Sequence, residues 1–346
     1  QMMKNLNLWK KIEGTAQPIS NIKVSHGTIE RGPASATLQF DNANIEESPM
    51  AQMLEDRFLR QCLIQEIKEN NLIDLIEQRK IIEIDDLNKQ KQLTLDNSSK
   101  LKTSLIVASD GINSPTAKAF GIKKAGWKYK QRGLVCAVNH EYSSNNTAYQ
   151  YFLPEGPLAI LPIKNNTASI VWTESIQNAA TISEMSEAEY LSVLQNRFGD
   201  FLGKLKLTGK RLSFPLKLSI SEKYVSDKFA VIGDAAHGYH PIAGQGLNAG
   251  LRDIAALVDV ISCARERGED FSSINILNRY QEWRRFDNQT LGFATDNLNK
   301  IFSSYDPLFG SLKNLGMKMI DKSNRAKRVF IRQAAGLNGE LPKLMR

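Results

Sequence analysis

Residues 229–253, FAVIGDAAHGYHPIAGQGLNAGLRD, constrain the fold more than any other stretch of this chain. Phe229-Ala230-Val231-Ile232 has the length and composition of a buried strand, and it ends at Gly233-Asp234. A loop with His237, His240 and Pro241 follows. Gly244 and Gly246 then open a segment with apolar residues at 247, 251, 254, 258 and 261, a spacing that predicts the inward face of a helix. Strand, acidic turn, glycine loop and helix start together form a cradle for a polyanion. Glycines let backbone N–H groups approach closely, and a helix N-terminus carries partial positive charge.

A second element agrees with the first. Leu101–Ala108 reads as a buried strand running into Ser109-Asp110-Gly111-Ile112-Asn113-Ser114. Taken alone, such a turn is ordinary helix-cap chemistry. The order Gly233-Asp234-Ala235-Ala236-His237, Pro241, Gly244-Gln245-Gly246, Asn248 and Asp253 resembles the second cofactor motif of the FAD-dependent aromatic hydroxylases. Those enzymes also carry an Asp-Gly-x-x-Ser turn where Asp110–Ser114 stands. They often place an Arg three residues after that Ser, where this chain has Ala117 followed by Lys118.

The resemblance implies roles for individual residues. Asp234 would accept a hydrogen bond from the flavin's ribityl chain, since an ionised carboxylate is a pure acceptor. The backbone of Gly246, Leu247 and Asn248 would face the pyrimidine edge of the ring, where a helix N-terminus favours the charge of reduced flavin. Pro241 would sit beside the ring, with Gly233, Gly244 and Gln245 completing the cradle. Asp110 would lie at the cofactor's edge, and Arg57 near its phosphates. A surface salt bridge is the competing reading for Arg57. The sequence singles out no catalytic acid or base and no metal ligand; His237 is expected to orient the loop.

Further segments narrow the resemblance to the ubiquinone-biosynthesis hydroxylases, which oxidise polyprenylated phenols. They are Gln131-Arg132-Gly133, Gly156–Pro162, Ser169–Thr173, Phe214-Pro215-Leu216, Thr295–Leu298, Phe302, Pro307-Leu308 and Arg332-Gln333-Ala334. One part of that pattern is missing, the Gly-x-Gly-x-x-Gly turn of the first βαβ unit. Residue 1 is Gln, and residues 2–12 resemble the helix that follows that unit. The expectation is that at least this unit, ~30 residues, lies outside the chain, either because the chain is a fragment or because the site is lost.

Composition narrows the classes. Hydrophobic content of 42% and charged content of 24% are those of a globular protein, and no apolar run approaches the ~20 residues that span a bilayer. Cys62, Cys136 and Cys263 are far apart without metal spacing, which fits a reducing cytoplasm. Of the net charge of +8, residues 311–346 carry +7, nine Lys or Arg against Asp321 and Glu340. Such a tail suits an anionic membrane surface or solvent, and no nucleic-acid fold signature accompanies it.

Along the chain, periodicity predicts an amphipathic helix over 48–69 with Met53, Leu54, Phe58, Cys62, Leu63 and Ile67 inward. A hairpin follows at 79–84 and 91–95, then four strands within 131–174, helix 183–198 and strand 211–220. Helices are expected at 246–267, 271–302 and 305–335. The architecture implied is α/β: a class A flavin monooxygenase with an N-terminally incomplete, Rossmann-like FAD-binding fold split between 1–126 and 225–303. An antiparallel substrate sheet is inserted at 127–224, and a basic helical region occupies 304–346.

The implied activity is hydroxylation of a polyprenylphenol by NAD(P)H and O₂ through FAD. The tail at 305–346 would bring the enzyme to the inner face of a membrane, and a ubiquinone biosynthetic complex is a further implied partner. Two alternatives stand beside it: a hydroxylase of a small soluble phenol, and a flavin-free scaffold of that complex.

Overall fold

The computed structural model describes residues 1–28, 32–41 and 49–302, with Ile320, Asp321, Ser323, Arg325, Lys327, Arg328 and residues 340–346. Its largest element is an eight-stranded sheet in the spatial order His237–Gly238, Leu205–Ser221, Lys124–His140, Thr167–Ser175, Gly156–Ile163, Thr147–Leu153, Asn21–Thr28 and Gly32–Asp41. Neighbours run antiparallel except Thr147–Leu153, which is parallel to Asn21–Thr28. Period-2 alternation separates the two faces. Leu134, Cys136 and Val138 share one face with Leu158, Ile160, Ala168, Ile170 and Trp172, all buried. Helices Ile176–Glu184 and Glu187–Phe198 cover that face with Ala179, Ile182, Tyr190 and Leu194. Each fully buried large apolar side chain there contributes roughly 1.5–3 kcal/mol, so this half has a self-sufficient core.

The other face receives the long helix Ile274–Phe302: Asn299 donates to Gln131 Oε1 at 3.0 Å, and Phe302 stacks on Phe152 at 3.9 Å. Beside it lies a small sheet of Val225–Ser226, Phe229–Val231 and Ile106–Ala108. Phe229–Val231 pairs in parallel with Ile106–Ala108, Val231 opposite Ala108. The turns that follow the two strands therefore leave the same carboxyl edge, where parallel sheets hold ligands.

Several expectations are corrected. The helix Gly246–Glu266 forms where predicted, but the apolar 247/251/254/258/261 stripe is not its buried face: Leu247 is 62% and Val258 39% exposed. Ala249, Asp253, Ala256, Val260 and Ala264 face inward instead. Small residues win because the helix lies close on the strand layer; a Cβ on Gly250 would stand 3.2 Å from the Gly233 Cα. The predicted helix 48–69 is a strand Ala51–Met53 followed by helix Asp56–Glu69, which buries none of its residues, and Leu63 is exposed.

Residues 2–12 form two short turns, Met2–Asn5 and Trp9–Ile12, parted at Asn7 with φ 58°. Helix 183–198 is two helices, because Ser186 begins a new one with a capping box to Glu189. The strand expected at 211–220 runs from Leu205 to Ser221, with a bulge between Thr208 and Leu212.

The 126/127 boundary falls inside the continuous strand Lys124–His140, and the sheet also takes in residues 21–28 and 32–41. The helix expected at 305–335 lies outside the described residues apart from the few named above. Of these, Ile320 packs against Leu38 and Phe40, and Lys327 pairs with Asp321 at 2.7 Å.

Candidate functional site

The two turns meet. Lys124 Nζ donates to the carbonyl of Ile112 at 3.0 Å and to that of Asp234 at 3.4 Å. Lys217 Nζ donates to Asn113 Oδ1 at 2.7 Å. Burial, and then the neighbouring Lys217 charge, push the Lys124 ammonium below its ordinary pKa, while Asp110 and Asp234 oppose that. Two cations thus sit where both turns end, which favours an anion.

The motif helix begins beside them. Gly244 adopts the left-handed region at φ 59°, a conformation costly for residues with a Cβ, and turns the chain into Gln245. Gln245 offers no side-chain cap, and the first helical bond runs from Ala249 N to Gln245 O at 2.9 Å. The N–H groups of Gly246, Leu247 and Asn248 therefore lie ahead of the helical ladder. Leu247 and Asn248 are exposed, and a Cβ on Gly246 would meet nothing within 4 Å. Asp234, in the 3-10 turn Gly233–Ala235, is exposed, and its carboxylate forms no hydrogen bond among the described residues. Open donors and an unengaged acceptor fit the flavin end of FAD. The sequence has no Gly-x-Gly-x-x-Gly turn, so these residues would fit only that end.

The other acid of the motif is used differently. Asp253 is fully buried and accepts from Gly233 N at 3.0 Å, His237 Nε2 at 2.5 Å, Arg284 Nε at 2.9 Å and Asn288 Nδ2 at 3.1 Å. Burial alone would raise its carboxyl, but the His237 hydrogen bond and the His237 and Arg284 charges hold it below the ordinary carboxylate range. His237, stacked on Tyr239 at 4.8 Å, is thereby an architectural residue that fixes the loop.

Three sequence-derived assignments come out less directly. Asp110 binds the Ser114 hydroxyl and accepts from Thr116 N at 3.1 Å, while Ser114 Oγ accepts from Ala117 N at 2.8 Å. Its carboxylate is engaged in capping helix Pro115–Ala119, next to the site but occupied. Arg57 is a surface residue paired with Glu55 at 3.0 Å and lying over Phe58, and no described contact joins it to the glycine loop. The acid two residues away captures it. Ala117 is 1% exposed in the core, which explains why no Arg stands there.

Pro241 opens the turn Pro241–Ala243, and beside it is a face the sequence did not reveal. His240 is buried, both ring nitrogens lack hydrogen-bond partners among the described residues, and Tyr129 meets it edge-on at 5.0 Å. The Tyr129 hydroxyl donates to Asp296 Oδ1 at 2.9 Å, and Asp296 pairs with Lys300 at 2.7 Å. Burial lowers the His240 pKa to about 4 against a small opposing effect of Asp296, so the imidazole is neutral near pH 7. Burial and then Asp296 push the Tyr129 phenol well up, keeping its proton in place. Tyr129 and Asp296 are 167 residues apart, and only the packing of Ile274–Phe302 on the sheet joins them.

Residues 2–289 match the family model described as an FAD binding domain. The chain is 33% identical over its whole length to a ubiquinone hydroxylase of Rhodospirillum rubrum, covering 80% of that protein. It is 31% identical to the 3-demethoxyubiquinol 3-hydroxylase of Escherichia coli over 88% of this chain and 77% of that one. In fold it is similar to the p-nitrophenol 4-monooxygenase PnpA from Pseudomonas putida, with a TM-score of 0.81 over 98% of this chain and 86% of the other at 16% identity. With the glycine loop, the parallel strand pair and the inserted sheet in place, the chain belongs to the FAD-binding-domain family of flavin-dependent monooxygenases.

Proposed function

We propose that this chain hydroxylates the aromatic ring of a polyprenylated phenol in ubiquinone biosynthesis, using FAD, NAD(P)H and O₂. The observation that carries this reading is that Asp234, His240 with its Tyr129–Asp296 neighbours, and the open helix start all lie on the one segment 234–248 that follows strand Phe229–Val231. The names of the two curated relatives support the substrate class. FAD, when bound, supplies the chemistry that takes electrons from the nicotinamide and activates oxygen.

The protein's part is binding, orientation and exclusion of water. Asp234 would accept a hydrogen bond from a hydroxyl of the cofactor's sugar chain, and the Gly246–Asn248 amides would favour negative charge at the ring's edge. The Tyr129 phenol, with the buried, neutral His240 against it, would form the wall a substrate ring meets. Asp296 holds the Tyr129 proton on the phenolic oxygen rather than letting it leave.

A lipid-soluble substrate calls for a membrane-proximal enzyme, and no described helix is long and apolar enough to cross a membrane. Peripheral association through 305–346 is the matching reading, with Leu308, Phe309, Leu312, Leu315 and Met319 beside Lys313, Lys318 and Lys322. Lys327 is already paired with Asp321, so only part of the tail's charge can face lipid, each exposed cation at about 1 kcal/mol or less.

The test compares a prenylated phenol with the same ring lacking its chain, in protein reconstituted with FAD. The expected result is hydroxylated product and coupled NAD(P)H oxidation at higher kcat/KM for the prenylated compound. Equal or better turnover of the short phenol would point instead to a small soluble substrate.

A further inference from the structure

A cavity of about 450 Å³ lies on the far side of the eight-stranded sheet, where strand Leu205–Ser221 bulges away from helices Ile176–Glu184 and Glu187–Phe198. Its walls include Ile182, Tyr190, Leu207 and Leu212, and its cations are Lys210 and Arg211. No acidic residue lines it. This is the face of Leu134, Cys136 and Trp172, opposite the one that meets helix Ile274–Phe302 and the flavin site. The cavity is therefore separate from the chemistry described above.

Arg211 is the informative residue. One guanidinium nitrogen, Nη2, donates to the Met185 carbonyl at 2.6 Å, and the group lies 5.0 Å over the Tyr190 ring. These contacts hold the fork in place. Nη1 is buried with no hydrogen-bond partner among the described residues. A buried guanidinium N–H left unpaired costs free energy, and a carboxylate is the partner whose geometry it matches. The bulge brings the group there: Gly209, at φ 77°, lets the strand swing out between Thr208 and Leu212 and return to register.

We propose that this cavity binds an amphipathic monocarboxylate, its carboxylate beside the Arg211 and Lys210 cations and its apolar body among Ile182, Leu207 and Leu212. The size lies in the usual range of small-molecule sites, and the mix of apolar wall and one fixed donor is their usual chemistry. A multiply charged phosphate is a poorer match, because Ile182, Leu207 and Leu212 give the cavity apolar walls, and Lys210 stands exposed at the rim.

Titration calorimetry of the full chain with octanoate tests this, with 1-octanol and inorganic phosphate as comparison probes. Octanoate is expected to bind one to one, and more tightly than either. Arg211→Gln should weaken octanoate about tenfold or more. Leu212→Trp, at an exposed position on the wall, should block it while leaving the circular dichroism unchanged. Asp234→Ala should leave octanoate binding as it is, which separates this site from the flavin cleft. Absence of saturable binding, equal binding of octanol or phosphate, full binding by Arg211→Gln or Leu212→Trp, or loss on Asp234→Ala would each overturn the proposal.

Discussion

Asp234 and Asp253 belong to one motif, yet they live in opposite environments. Asp253 is 0% exposed with four donors on its two carboxylate oxygens, whereas Asp234 is exposed and its carboxylate accepts no hydrogen bond among the described residues. The inner side of the motif spends its polar groups on itself, tying the Gly233 turn, the loop and two helices into one unit. The outer side leaves donors and an acceptor open. A buried ion pair is poor evidence for net stability, but removing one partner leaves an uncompensated charge. Loss on the inner side should therefore appear as stability, and loss on the outer side as ligand affinity.

The largest effect is expected at Asp253. Asp253→Ala leaves Arg284, which is 2% exposed, with only the half-exposed Asp287 as its acid and orphans the donors of Gly233, His237 and Asn288, and it should cost about 3–5 kcal/mol in urea unfolding. A cost below about 1 kcal/mol would erase the contrast between the two acids.

The next effect is in the pH dependence of stability. The folded pKa of His240 is lowered from 6.5 to about 4, so between those values the unfolded chain binds more protons. Its contribution is whole above pH 6.5 and is lost as pH falls toward 4, on the order of 3 kcal/mol in all. His240→Phe should flatten the melting temperature across that window. The Asp253 carboxyl is also lowered, so its contribution is lost only at lower pH, from about 4 downward through its folded value. If His240→Phe melts with the wild-type pH profile, the imidazole is not held neutral by burial.

Tyr129→Phe sharpens the comparison from the substrate side. It removes one hydrogen bond to an acid that keeps Lys300, so stability should change by about 1 kcal/mol or less. Turnover of the reconstituted enzyme should fall about tenfold in kcat/KM. Wild-type kinetics would place Tyr129 with the architecture. The smallest effect is expected at Arg57, where Arg57→Ala removes an exposed pair and should change neither melting nor flavin affinity beyond error. A measurable loss of flavin would return Arg57 to the site.

How much of this was legible follows from the range of each signal. The strand–turn–helix at 229–253 was readable because its residues are consecutive and each type has a local reason. The four central strands were readable because positive-φ asparagines at 145, 146, 165 and 166 mark their turns. The inward face of Gly246–Glu266 was misread because hydrophobicity ranks Leu and Val above Ala, whereas close packing on Gly233 favours small residues. The strands Asn21–Thr28 and Gly32–Asp41 gave no local sign of joining a sheet whose other members begin about a hundred residues later. Tyr129, His240 and Asp296 come together only through tertiary packing, so no spacing rule could have assembled that face.

The central claim is that the outer side of the motif holds the flavin end of FAD, with Asp234 as the acceptor. FAD titration of wild type and Asp234→Ala, followed by quenching of flavin fluorescence alongside melting curves, tests it most directly. The account predicts affinity weaker by about one to two decades, the loss of roughly 1.5–3 kcal/mol for a charged hydrogen bond, with melting of the flavin-free protein unchanged. Equal affinity in the two proteins would contradict it.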